Sequence, residues 1–138
     1  MNIFDVVNEL AVFGSTLFMM ALSTIWYSSL LFGTLWMNAV QLTEERMNLG
    51  LPDMIRNMAI TFICYFTGLF LVGYMIAVAP VLNTPVSTLA LYMFIFGSVL
   101  CAPAVVWEQR NLRYYFITIG FLAFFIFGGA YMLVLWPW

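Results

Sequence analysis

The stretch MIRNMAITFICYFTGLFLVGYMIAV, residues 54–78, decides the fold class. After Arg56 it carries no acidic or basic residue, and at 1.5 Å per residue a helix of this length crosses a hydrocarbon core of about 30 Å. Its apolar residues run on without the polar/apolar alternation of a barrel strand, so the span is helical. Asp53 stands just before it in the place of an N-cap, which sets the expected helix start at Met54, with Arg56 at the membrane surface.

Three more runs of the same kind follow from working outward. The expected spans cover about 10–37, 54–78, 85–107 and 112–136, within a single membrane domain over residues 1–138. Composition agrees: 65% of the 138 residues are apolar, and four basic against six acidic side chains cannot clothe a water-soluble surface. The segment before the first span carries Asp5 and Glu9 but no Lys or Arg, the wrong charge for a cleavable signal, so the first span is expected to be retained. Thr84 is placed to cap the third helix, with Pro85 in its first turn, and the fourth opens near Asn111 or Leu112. The short second and third connections make consecutive helices antiparallel neighbours.

The longer loop, 38–52, holds a helix start at Thr43, Glu44 and Glu45 and a stop at Gly50 and Pro52. With Leu42, Met47, Leu49 and Leu51 on it, this reads as a short interfacial helix between spans 1 and 2, the alternative being a solvated loop. The fold class expected is therefore all-α: an antiparallel four-transmembrane-helix bundle with one interfacial helix. Arg46, Arg56, Arg110 and Arg113 all fall on one side. The positive-inside rule places that side in the cytoplasm and both termini outside the cytoplasmic (inner) membrane.

Few residues offer chemistry. There is no histidine, which removes the commonest metal and haem ligand, and neither metal nor cofactor is expected. Cys64 and Cys101 lie at similar depth from the cytoplasmic end; they read either as a pair or, more commonly, as small apolar packing residues. No carboxylate sits deep in a span, which argues against an ion-driven pump. Ser15, Thr16, Ser23, Thr24, Ser28 and Ser29 enrich the first helix in hydroxyls, with Thr61 and Thr67 on the second. They either line a path or bond back to helix carbonyls.

Two clusters stand out. Trp26, Ser29, Gly33 and Trp36 recur at helical spacing, with Gly33 open to a neighbouring backbone between two indoles. Trp26 and Tyr27 lie about 15 Å deeper than the interfacial Trp36, so their N–H and O–H groups are expected to face protein, in a helix contact or pocket wall. Trp107, Glu108, Gln109, Arg110, Asn111 and Arg113 form a polar cytoplasmic turn, in which Glu108 is placed to pair with Arg110, Arg113 or Arg56. A single carboxylate among arginines supplies no nucleophile or matched acid and base, so this cluster reads as an anchor or a headgroup contact, and no enzyme activity is expected.

The run Trp26-Tyr27-Ser28-Ser29-Leu30-Leu31-Phe32-Gly33-Thr34-Leu35-Trp36-Met37, and Trp107-Glu108-Gln109-Arg110 followed by Leu112, resemble the "domain of unknown function 1761" family of small membrane proteins. The resemblance implies the four-span fold and no activity. Where the family often has Pro after Tyr-Ser this chain has Ser29, which removes the residue that would kink the span there.

The leading functional expectation is a small non-catalytic membrane protein acting through helix packing, as a homo-oligomer or an accessory subunit. Its partners would be the bilayer and other membrane subunits or copies of itself, with no nucleic acid. Gly33, Gly68, Gly73, Gly97, Gly128 and Gly129 are the expected close-approach sites. The alternative is a homo-oligomeric small-solute channel or transporter lined by the first helix's hydroxyls.

Overall fold

In the computed structural model the described residues are 7–43, 50–107 and 111–136, and every regular element among them is helical. The helices are α1 (Glu9–Trp26), α2 (Gly33–Val40), α3 (Leu51–Val78), α4 (Val86–Trp107) and α5 (Leu112–Leu135). Of these, α1, α3, α4 and α5 are long and apolar enough to cross a membrane.

Local chemistry explains where they start. Asn8 Oδ1 accepts from the Ala11 N–H at 3.0 Å, with Glu9 in the first turn at the positive end of the helix dipole. Asn111 Oδ1 accepts from the Arg113 N–H at 3.0 Å and caps the fourth span, which begins at Leu112, within the expected start near Asn111 or Leu112. The start of α3 differs from the expectation. Gly50 is its N-cap and Pro52 sits in its first turn, where a missing N–H is harmless; Asp53 is inside the helix and its carboxylate holds Arg56 at 2.8 Å. Gly50 and Pro52 thus open α3 rather than close a loop helix. The rest of the expected interfacial helix, including Glu44, Glu45, Arg46, Met47 and Leu49, lies outside the described residues. Before α4, Asn83 takes a left-handed φ of 50°. The Thr84 hydroxyl then donates to the Leu82 carbonyl at 3.0 Å instead of capping, and the Pro85 carbonyl accepts from Thr88 and Leu89.

The first span is not one helix. α1 ends at Trp26, a turn runs from Tyr27 to Phe32, and α2 resumes at Gly33. Ser28 Oγ donates to the Ile25 carbonyl at 2.7 Å and accepts from the Leu30 N–H at 3.3 Å, offering the backbone a local alternative to the helix ladder. The Phe32 and Gly33 N–H groups then reach back to the carbonyls of Trp26 (3.1 Å) and Ser28 (2.8 Å). The break therefore forms without the proline whose absence argued against a kink.

The core lies at the end of the bundle where α1 begins. Ala11, Val12, Ser15, Thr16 and Met19 make one buried stripe at helical spacing. Leu69 and Val72 from α3 and Ala130 and Leu133 from α5 join its apolar members in a single cluster. α5 touches all four other helices. α4 lies at the edge, with Tyr92, Phe96 and Val99 each more than 60% exposed; it is tied to α5 where the Tyr115 hydroxyl donates to the Ser98 carbonyl at 3.2 Å. The expected close-approach glycines are used inside the chain: Gly73 faces Val7 and Val12, Gly97 faces Leu122, and Gly129 faces Leu69.

Candidate functional site

Trp26 closes α1 against α5. Its Nε1–H donates to the Ile117 carbonyl at 3.3 Å, and its ring packs on Phe32 (4.6 Å between centroids), Phe124 (5.2 Å) and Phe121 (6.1 Å). Tyr27 follows in the turn, its ring on Trp36 at 5.4 Å and on Phe121 at 5.6 Å. Gly33 is buried, and a β-carbon added there would stand 2.6 Å from the Ser28 carbonyl. The backbone that Gly33 admits is thus the chain's own turn. Trp26, Tyr27, Gly33 and Trp36 come together as expected, but around a turn rather than along one helix face, and Ser29 is left exposed outside the group.

Beneath this turn is a cleft of about 240 Å³, lined by Tyr27, Cys64, Tyr65, Cys101 and Thr118 over a floor of Phe121, Leu122 and Phe125. Both cysteines are free thiols, and the similar depth counted along the sequence has become a shared cavity. The Tyr27 phenol faces Thr118, whose own hydroxyl oxygen is shut away from solvent and makes no well-formed hydrogen bond. Phe121 is the hub: besides Trp26 and Tyr27, it meets Tyr65 at 6.0 Å. Sequence reasoning missed Phe121, Tyr65 and Thr118, because only the packing of α5 against α3 turns them toward the same space.

The middle of α5 explains that packing. Residues Phe124–Gly128 form a π-helical segment, and one extra residue in a turn rotates its neighbours onto different helices. Phe124 meets Trp26 of α1, Phe125 meets Tyr65 of α3 at 5.0 Å, and Phe127 meets Phe94 of α4 at 5.9 Å.

Four hydroxyls of the first span, on Thr16, Ser23, Thr24 and Ser28, bond back to carbonyls of α1, whereas the buried Ser15 hydroxyl has no partner among the described residues. Thr16 donates to the Val12 carbonyl at 2.8 Å, Ser23 and Thr24 to that of Met20 at 2.8 and 3.0 Å, and Thr61 on α3 to that of Asn57 at 2.8 Å. Ser23, Thr24, Asn57 and Thr61 line a shallow surface groove of about 220 Å³ between α1 and α3.

At the arginine end, Arg56 is bound to Asp53 and reaches the Asn57 side chain at 3.4 Å. Trp107 ends α4 and Arg113 lies exposed in the first turn of α5, while Glu108 and Arg110 are outside the described residues. Among the described residues no three His, Cys, Asp or Glu side chains converge as a metal site.

Over residues 10–134 the sequence matches the family described as protein of unknown function (DUF1761), and the chain belongs to that family. No curated relative and no solved structure matches it.

Proposed function

From membership in a family that brings a fold but no assigned activity, we propose a non-catalytic integral membrane protein that acts through helix packing, beside copies of itself or other membrane subunits. The bundle is antiparallel, seated in the cytoplasmic membrane with both termini outside and Arg56 and Arg113 at the cytoplasmic face. The observation that carries this reading is that Thr16, Ser23, Thr24 and Ser28 bond back to carbonyls of α1: a hydroxyl already donating there has no donor left for a passing solute. The described carboxylates, Glu9 and Asp53, stand at helix starts, and Asp53 is held by Arg56. That placement supports anchoring rather than acid–base work.

The test is the particle itself. Native mass spectrometry of the chain released gently from its membrane is expected to show either a defined homo-oligomer or a stoichiometric complex with other membrane chains; a monomer alone overturns the reading. The channel alternative is checked in a background lacking Cys64 and Cys101. Cysteine at Ser23 or Thr24 is expected to resist a membrane-impermeant thiol reagent, and rapid labelling there would point to a water path.

A further inference from the structure

We infer that the groove between α1 and α3 at the arginine end is a binding site for a soft monovalent metal cation, copper(I) or its silver(I) analogue, held by the thioethers of Met20, Met54 and Met58. Methionine is ordinary packing material in a core, and Met19, 1% exposed beside Gly128 and Gly129, serves in that way. The groove methionines are placed differently. Met54 and Met58 are 45% and 53% exposed, and with Met20 they border an open space of about 220 Å³. Met54 and Met58 stand one helical turn apart on α3, so their β-carbons lie about 5 to 6 Å apart on one face, and Met20 meets them from α1. Each side chain has three rotatable bonds, which lets the three sulfurs close on one ion.

The rest of the lining decides what kind of ligand fits. Ser23 and Thr24 donate their hydroxyl protons to the Met20 carbonyl, and Thr61 donates its own to that of Asn57, so these oxygens keep only lone pairs to offer. A thioether sulfur likewise accepts and has no hydrogen to donate. Apart from the Asn57 amide, the polar lining therefore consists of electron-pair donors, a surface for a cation and not for an anion or a carbonyl. No carboxylate, thiolate or imidazole lines the groove, so the ligands that zinc and magnesium require are missing and nothing offsets a second positive charge. Thioethers instead select copper(I). The lack of histidine in the chain removes imidazole sites and leaves a thioether site untouched.

Charge and depth agree with this assignment. Arg56, two residues from both Met54 and Met58, is bound to Asp53 at 2.8 Å, so its guanidinium does not stand uncompensated against an arriving cation. Two residues are roughly 3 Å of helix, which keeps Met54 and Met58 close to the membrane surface that Arg56 marks. The ion reaches them from water without crossing the hydrocarbon core.

The test takes the full chain in phosphatidylcholine nanodiscs in chloride-free buffer. On the wild-type chain, silver(I) in excess over the two thiols is expected to slow sulfoxide formation by hydrogen peroxide about tenfold at Met20, Met54 and Met58, read by peptide mass spectrometry. Met75, outside the groove, should oxidise at an unchanged rate, and zinc(II) at the same concentration should protect none of them. In the background lacking Cys64 and Cys101, one copper(I) per chain is expected to be retained against a chromogenic copper(I) chelator. Met54→Leu with Met58→Leu nearly conserves volume and should weaken that retention by at least about tenfold, whereas Met132→Leu should leave it unchanged. Protection that is absent, equal at Met75 or equal with zinc(II) overturns the proposal on the wild-type chain alone, whether or not any variant folds. Undiminished retention in the folded double variant overturns the assignment of the thioethers.

Discussion

At the end of the bundle where α1 begins, small residues set the distance between helices. Ala11 and Ser15 of α1, Gly73 of α3 and Gly129 and Ala130 of α5 let the backbones approach, and Met19, Leu69 and Leu133 fill what remains to within 1% of complete burial. At the arginine end rings set the distance, and α1 gives up its helix among Trp26, Tyr27 and Phe121. In a bilayer an apolar side chain gains little by leaving lipid for protein, so tightness must come from contact. Small residues supply contact everywhere along their layer. Rings supply it only where they touch, and the space between them is the cleft. One end is therefore built to hold, and the other to leave room.

The largest effect that would break this comparison is expected at Gly33. In Gly33→Val the new β-carbon meets backbone rather than a movable side chain, so the turn must reopen. A loss of more than about 3 kcal/mol is expected, read by unfolding in detergent, while Gly50→Ala, whose nearest neighbour is Pro52 at 3.8 Å, should be close to silent. A mild Gly33→Val would mean that the turn is soft and the arginine end is not ordered by it. Next comes Leu69→Ala in the small-residue layer. Leu69 is fully buried against Gly129, and close packing leaves little to collapse into the void, so about 2 to 3 kcal/mol is expected in the same assay. A cost below about 1 kcal/mol would show that this end is no better packed than the other.

The sequence announced some of this and concealed the rest for identifiable reasons. The long apolar runs fixed four spans by length and composition, and the start of the fourth was readable near Asn111 or Leu112, because what opens a helix acts within a few residues. Trp26 was readable as facing protein because an indole N–H needs an acceptor, but not which one: the Ile117 carbonyl is 91 residues away. The break after Trp26 left no sure mark. Ser28 bonds back to a carbonyl, yet Thr16, Ser23 and Thr24 do the same without breaking α1. What distinguishes it is Gly33 receiving the Ser28 carbonyl, a relation that exists only once the turn has formed. Thr84 failed as a cap because Asn83 turns left-handed before it. The π segment leaves no compositional trace, since an extra residue in a ladder changes register and nothing else. Cys64 and Cys101 were readable in depth by counting rise, but sharing a cleft depends on which way each helix faces.

Trp26→Phe probes the seam between the two ends. It keeps an aromatic ring against Phe121 and Phe124 but removes the Nε1–H···O bond to Ile117 and the indole edge that Gly120 accommodates. A loss of about 1 to 1.5 kcal/mol is expected. If ring contact alone orders this end, as the comparison would have it at its strongest, the loss falls to a few tenths.

The smallest effect, and the one whose sign matters most, is Ser15→Ala. Ser15 lies in the small-residue layer, fully buried, and its Oγ has no hydrogen-bond partner among the described residues. Its neighbour Thr16 is equally buried but bonded to the Val12 carbonyl. A hydroxyl without a partner costs desolvation and returns nothing, whereas alanine keeps the small volume the layer needs. Ser15→Ala is therefore expected to be neutral or stabilising by up to about 1 kcal/mol, read as a rise in the unfolding midpoint. Destabilisation by about 1 kcal/mol or more would mean that Ser15 Oγ has a partner in the membrane, either a water or another chain. The small-residue layer would then be wet or shared with another chain.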